Sequence, residues 1–253
     1  GWAGNVNFLL DRSETPYHFI YFHDDLIEPA YTATLLAALE ADSNAVSVHC
    51  DMRHFGGSDH ISLGRAYLGE RTHRLLTLML APYRGSPLRS LVRAEATRDV
   101  RLPHAESGGY WANEPFLIKL IANGRALHVP QALYARWDKR SGGLTDGWRT
   151  IAPAEAFARL KANVATALDV LLAETSDPRA RLALSFALYV QALPLIRTSE
   201  SHGDMFTRPA ELHPAFAGLA LPAHLHEYGD DIAQWAAARW PEIAADLARR
   251  AGG

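Results

Sequence analysis

Two adjacent carboxylates, Asp24 and Asp25, follow the apolar run Tyr17-His18-Phe19-Ile20-Tyr21-Phe22-His23 and precede Leu26-Ile27-Glu28-Pro29. An acid pair delivered to the end of a strand suits a hard divalent cation, which takes oxygen ligands. Open α/β sheets bind their ligands beyond the carboxyl ends of their strands. The same pair also suits a solvated turn that caps the next helix. Pro29 is expected to open that helix, because its missing N–H costs nothing at the first helical position. The neighbourhood favours chemistry: the next apolar run, Ala45-Val46-Ser47-Val48, is followed by His49-Cys50-Asp51, so a second strand is expected to end in ionisable groups.

A phosphate-bearing substrate handled with a divalent metal needs carboxylates for the metal, cations near the leaving phosphate and a base for the attacking group. All three occur before residue 150: Asp24 and Asp25, then Arg89, Arg93, Lys139 and Arg140, and Glu114 as the base. Arginine and lysine are also ordinary solvated surface residues, and Glu114 would equally serve as a first-turn acid that complements a helix dipole. A second inventory, His23, Asp24, His49, Asp51, His54, Asp59 and His60, is the ligand set of a metallohydrolase. Imidazole-rich ligation would favour zinc, iron or manganese; histidines scattered through the fold are the plain alternative.

The elements that must position these groups are readable from periodicity. Residues 1–150 alternate short apolar strands with helices, as in a mostly parallel α/β sheet. The helix from Pro29 carries Tyr31, Leu35, Leu36 and Leu39 on one stripe, and another near 70–81 presents Leu75, Leu76, Met79 and Leu80. Ser90-Leu91-Val92-Arg93 and Ala126-Leu127-His128-Val129 read as strands. Between them, Phe116, Leu117, Leu120 and Ile121 form a helical stripe stopped by Gly124 at the C′ position. Arg136 to Arg149 reads as a basic, glycine-containing loop. From Pro153 the pattern is helical: Phe157, Leu160, Val164, Leu168 and Leu171 recur at helical spacing. A second helix begins with Asp177 as N-cap and Pro178 at N1, and further helices are expected at 231–250, divided by Pro241. The expected division is therefore an α/β domain at 1–150 and an all-α module at 151–253. The polar loop from Ser199 to Asp204 could line a site, but nothing in its spacing says that it does.

The 253-residue chain is 48% hydrophobic, enough for a packed core, and its net charge of −3 offers no basic field for nucleic acid. Cys50 is the only cysteine, so no internal disulfide forms, which suits a cytoplasmic setting. No apolar run is long enough to cross a bilayer. The chain opens at Gly1 in what reads as mid-domain sequence, so an upstream portion is expected.

The order Phe22-His23-Asp24-Asp25-Leu26-Ile27-Glu28-Pro29, then Gly85-Ser86-Pro87-Leu88-Arg89-Ser90-Leu91-Val92-Arg93, then Gly108-Gly109-Tyr110-Trp111-Ala112-Asn113-Glu114 leading to Gly124, resembles the later half of a family 2 glycosyltransferase. The resemblance covers roughly residues 3–145 and rests on order and spacing more than on any single motif. It implies the GT-A fold, a mixed α/β sheet, here without its first βαβ portion; Gly4, Asn5 and Asn7 resemble only the end of that portion. It further implies that Asp24 and Asp25 stand at the DxD-type signature that holds Mn²⁺ or Mg²⁺ on the diphosphate of a nucleotide sugar, His23 departing from an all-Asp version. Glu114 would be the catalytic base of an inverting transfer to an acceptor hydroxyl, although counting back from Gly124 also allows Asn113 at that position. Lys139, Arg140 and Ser141 would lie near the diphosphate. The helical module would shape acceptor binding or tie the enzyme to a partner or a membrane surface. Two other functions stand beside this one: the metallohydrolase, and a binding domain that keeps the fold without catalysis.

Overall fold

A computed structural model describes residues 1–80, 85–103, 109, 111–138 and 150–197. In chain order the elements are α1 (Trp2–Leu10), β1 (Tyr17–His18), β2 (Leu26–Ile27), α2 (Tyr31–Glu40), β3 (Ala45–Phe55), β4 (His60–Ser62), α3 (Arg71–Leu80), α4 (Gly85–Leu88), β5 (Leu91–Arg93), α5 (Asn113–Asn123), β6 (Arg125–Trp137), α6 (Pro153–Ala173) and α7 (Pro178–Arg197). The strands form one mixed sheet ordered β1-β5-β3-β6-β2, with β4 paired to β3. β3 and β6 are parallel and form its spine; the other pairs are antiparallel. No described helix is long and apolar enough to cross a membrane.

β3 is buried at nearly every position, as a strand flanked on both sides and covered by helices must be. It does not stop at His49 as the sequence predicts but continues to Phe55. Asp51 survives at mid-strand because neighbours satisfy it: it accepts hydrogen bonds from the Gly64 N–H (2.8 Å) and His128 (2.7 Å). β6 likewise extends the expected strand Ala126-Leu127-His128-Val129 into the start of the expected loop, running through Arg136 and Trp137. Pro130 is accommodated because the register jumps from Cys50↔Val129 to Asp51↔Ala132, so the residue without an N–H sits in an irregularity.

The apolar run before Asp24 is a strand only at Tyr17 and His18. Its partner β5 is itself short, pairing as Tyr17↔Arg93 and His18↔Val92, so no ladder is available beyond. Phe19 and Tyr21 instead pack their rings on Tyr31 (5.3 Å) and Tyr134 (6.5 Å). α2 starts at Tyr31, after Pro29, with Ala30 as an N-cap that makes no side-chain bond. Neither aspartate caps it. Tyr31, Leu35 and Leu39, one turn apart, bury that helix against Val48, Met52, Leu91 and Leu133. Gly124 ends α5 as expected but without a left-handed φ; a Cβ there would lie 2.3 Å from the Val46 side chain, so close approach to β3 demands the glycine.

Two compact units emerge. One comprises Gly1–Arg74, Tyr83–Leu102 and Lys119–Thr150; the other comprises Leu75–Pro82, Pro103–Ile118 and Ile151–Gly253. A boundary falls between Thr150 and Ile151, but the helical unit also takes two stretches of the earlier sequence, including the buried Leu75, Leu76, Phe116 and Leu117. Within it α6 buries Leu160, Val164, Leu168 and Leu171 and packs on α7, which starts at Pro178 as expected and buries Leu184, Leu188 and Tyr189. Burial pushes the Tyr189 hydroxyl up to about 12. The expected helices at 231–250 and the loop from Ser199 to Asp204 lie outside the described residues.

Candidate functional site

The two adjacent aspartates have different surroundings. The Asp25 N–H bonds to the Phe22 carbonyl (3.0 Å), making a turn that leaves Asp24 half-buried and Asp25 only 3% exposed. Asp25 Oδ2 accepts from Arg89 Nε (3.1 Å) and the Tyr134 hydroxyl (2.7 Å), while Oδ1 accepts from the Trp137 N–H (3.1 Å). The Tyr21 hydroxyl reaches the Asp25 carbonyl at 2.7 Å. A buried carboxylate is stable when paired and hydrogen-bonded in this way. Asp25 thus joins the turn to β6 and to the residues before β5. Burial raises the Tyr134 hydroxyl far above its ordinary range, so it remains a proton donor to the carboxylate.

Of the arginines proposed for phosphate, Arg89 is spent on Asp25 and on ring contacts with Phe22 (4.6 Å) and Tyr134 (5.4 Å). Arg93 is at the opposite end of the sheet. Its guanidinium donates to the carbonyls of Ala45 (2.9 Å) and Leu39 (2.8 Å) and to the Tyr17 hydroxyl (3.1 Å), serving the end of α2 and the start of β3. The structure therefore brings Arg89, but not Arg93, to the aspartates. Lys139, Arg140 and Ser141 lie outside the described residues.

Glu114 belongs to the helical unit and opens α5, one residue after Asn113. Its Oε2 accepts from Gln191 Nε2 on α7 at 2.8 Å, and Asn113 Nδ2 lies 3.4 Å from Oε1. The preceding Trp111 has φ 51°, an uncommon backbone for a bulky residue. Its carbonyl accepts from the Glu114 N–H (3.1 Å) and from Asn163 of α6 (2.8 Å). The helices after residue 150 read from sequence as apolar stripes alone, yet their buried Asn163 and Gln191 both converge on this turn. The sequence reading missed both; a polar residue beside a helical stripe is the signal that could have found them.

The seven residues of the metallohydrolase set do not converge. His23 is exposed on the turn, and Asp59 pairs loosely with Arg53 at 3.8 Å. His49 is buried between His128 (5.5 Å) and Tyr67 (5.9 Å); burial, with the neighbouring His128, lowers its pKa to about 3. Only His54 and His60 meet, as directly opposed residues of β3 and β4 with rings stacked at 4.1 Å. They are joined by Asp138, a residue absent from the sequence-derived set. Its Oδ2 lies 2.8 Å from His54 Nδ1 and accepts from Ser58, and Ser62 Oγ lies 2.9 Å from His54 Nε2. Burial lowers the His54 pKa. Burial would raise that of Asp138, but bonds from Ser58 and His54 hold it below the ordinary carboxylate value.

No family model matches the sequence, and no curated protein is significantly similar to it. Among solved structures, S. aureus TarS (residues 1–349), crystallised in complex with UDP-GlcNAc, aligns with a TM-score of 0.56 at 13% identity, over 93% of this chain and 70% of that one. At such identity a likeness speaks for architecture: the chain has a mixed α/β fold of the glycosyltransferase kind.

Proposed function

We propose that the chain is a family 2-type glycosyltransferase that moves a sugar from a nucleotide diphosphate to an acceptor hydroxyl with inversion. The observation that carries this reading is the likeness, over nearly the whole chain, to a structure that holds UDP-GlcNAc. Glu114 takes the acceptor proton as the acceptor oxygen bonds to the anomeric carbon, and the bond from that carbon to the diphosphate breaks with its electron pair on the diphosphate. Gln191 suits this role for Glu114: a neutral amide orients the carboxylate without offering it an acidic proton. Asn113 has no group able to take the proton.

The aspartates do not fit a Mn²⁺ or Mg²⁺ ion equally. Asp25 is buried and already accepts three hydrogen bonds, so we assign it to positioning the turn and give the ligating role to Asp24. When bound, such an ion offsets charge on the leaving diphosphate. In this reading Lys139, Arg140 and Ser141 stand beside the diphosphate, and Arg89 acts through Asp25.

The test is calorimetric titration of nucleotide sugars, with release of nucleoside diphosphate as the turnover assay. Glu114→Gln should lower turnover by about 10² to 10⁴ while leaving donor binding in place. A wild-type chain that binds no nucleotide sugar overturns the function; unchanged turnover in Glu114→Gln overturns the base.

A further inference from the structure

The β3–β4 hairpin is fitted closely to the end of β6. Gly56, at φ +88°, lies where a Cβ would sit 2.3 Å from the Trp137 ring, and a Cβ on Gly57 would be 2.4 Å from the Asp138 carbonyl oxygen. The Asp138 N–H bonds to the Phe55 carbonyl at 2.8 Å. Only glycines let the hairpin lie this close, and the closeness brings Asp138 to the cross-strand pair His54 and His60. Ligand atoms from these three residues all lie within 4.8 Å of one another, the only such group among the described residues.

We propose that His54, His60 and Asp138 form a binding site for a zinc-like divalent ion, separate from the aspartates of the nucleotide-sugar reading. Two imidazoles and one carboxylate are the donor set of a borderline metal; magnesium and calcium prefer oxygen alone. The 2.8 Å between His54 Nδ1 and Asp138 Oδ2 is close to the roughly 3.3 Å separating two ligands that share a tetrahedral ion at bond lengths near 2.0 Å. The ion replaces the proton between them. His54 Nε2 then carries its hydrogen and donates to Ser62 Oγ, the outer partner that metal-bound histidines usually have. His54 is held in place, its side chain 4% exposed, whereas His60 is exposed. His60 completes the set by turning out of the stack, since two parallel rings cannot both present an in-plane lone pair to one ion. Water takes the fourth position. Bound there, the ion ties the hairpin to the end of β6.

Titration of the whole chain with Zn²⁺, and with Co²⁺ as a visible-absorbing substitute, tests the site. One ion per chain should bind, with the strong visible bands of tetrahedral Co²⁺, and Zn²⁺ should raise the thermal midpoint. His60→Ala, an exposed change that leaves the fold intact, should weaken binding at least tenfold and abolish the Co²⁺ bands; Asp138→Asn should do the same. Absence of binding in the wild type overturns the proposal, as does an affinity that His60→Ala leaves unchanged, which would mean that zinc is held by other histidines.

Discussion

Asp25 and Glu114 are the two carboxylates that the proposed function sets apart, and their surroundings differ in kind. Asp25 accepts from a guanidinium, a hydroxyl and a backbone N–H, and it is buried. Glu114 accepts from the amide of Gln191 at the start of a helix, with Asn113 at longer range. The guanidinium of Arg89 and the Trp137 N–H fix Asp25 in place, and the amide of Gln191 orients Glu114. In the proposed reading, Asp25 builds the site and Glu114 performs a step in it.

The comparison is broken most directly through stability. Asp25→Asn removes the charge that faces the largely buried Arg89 side chain, a loss of about 3–5 kcal/mol, whereas Glu114→Gln should cost about 1 kcal/mol or less. Chemical denaturation of the two variants measures both, and equal losses would erase the distinction. Gln191→Leu removes a hydrogen bond to a charged group, worth about 1.5–3 kcal/mol; if the amide orients the base, turnover should fall further than donor binding, and a parallel fall in both would reduce Gln191 to packing.

His49 offers a third case, a buried ring kept neutral. The folded state takes up its proton only near pH 3, while the unfolded chain does so near pH 6.5. Between those values the unfolded state binds more protons, so stability should fall as pH drops through that window. His49→Leu should flatten this part of a pH-dependent unfolding curve; an unchanged slope would assign it to other groups. Tyr134→Phe removes one of the donors to Asp25, again a hydrogen bond to a charged group, and should cost about 1.5–3 kcal/mol. A cost as large as that of Asp25→Asn would shift the weight of the cluster from Arg89 to the hydroxyl.

Local pattern alone determined the helices and their buried stripes. Leu75 and Met79, Phe116 and Leu120, and Leu160 and Val164 are core positions because a 3.6-residue period leaves one face to bury. The α/β class followed from the same reading, but the sheet it expected to be mostly parallel has one parallel pair among five, and the strand before the acid pair ends at His18. The lengths of β3 and β6 did not, because the partner that lets Asp51 sit at mid-strand, His128, comes from a neighbouring strand. Tertiary structure alone decided what each candidate residue does. Arg89 and Arg93 lie four residues apart, yet one ends on Asp25 and the other on the carbonyls of Leu39 and Ala45. Asp138 meets His54 across 84 residues of chain, and Gln191 meets Glu114 across 77. Hydrogen bonds between groups so far apart in sequence have no period and no motif; they exist only once the sheet register and the helix packing have brought their ends together.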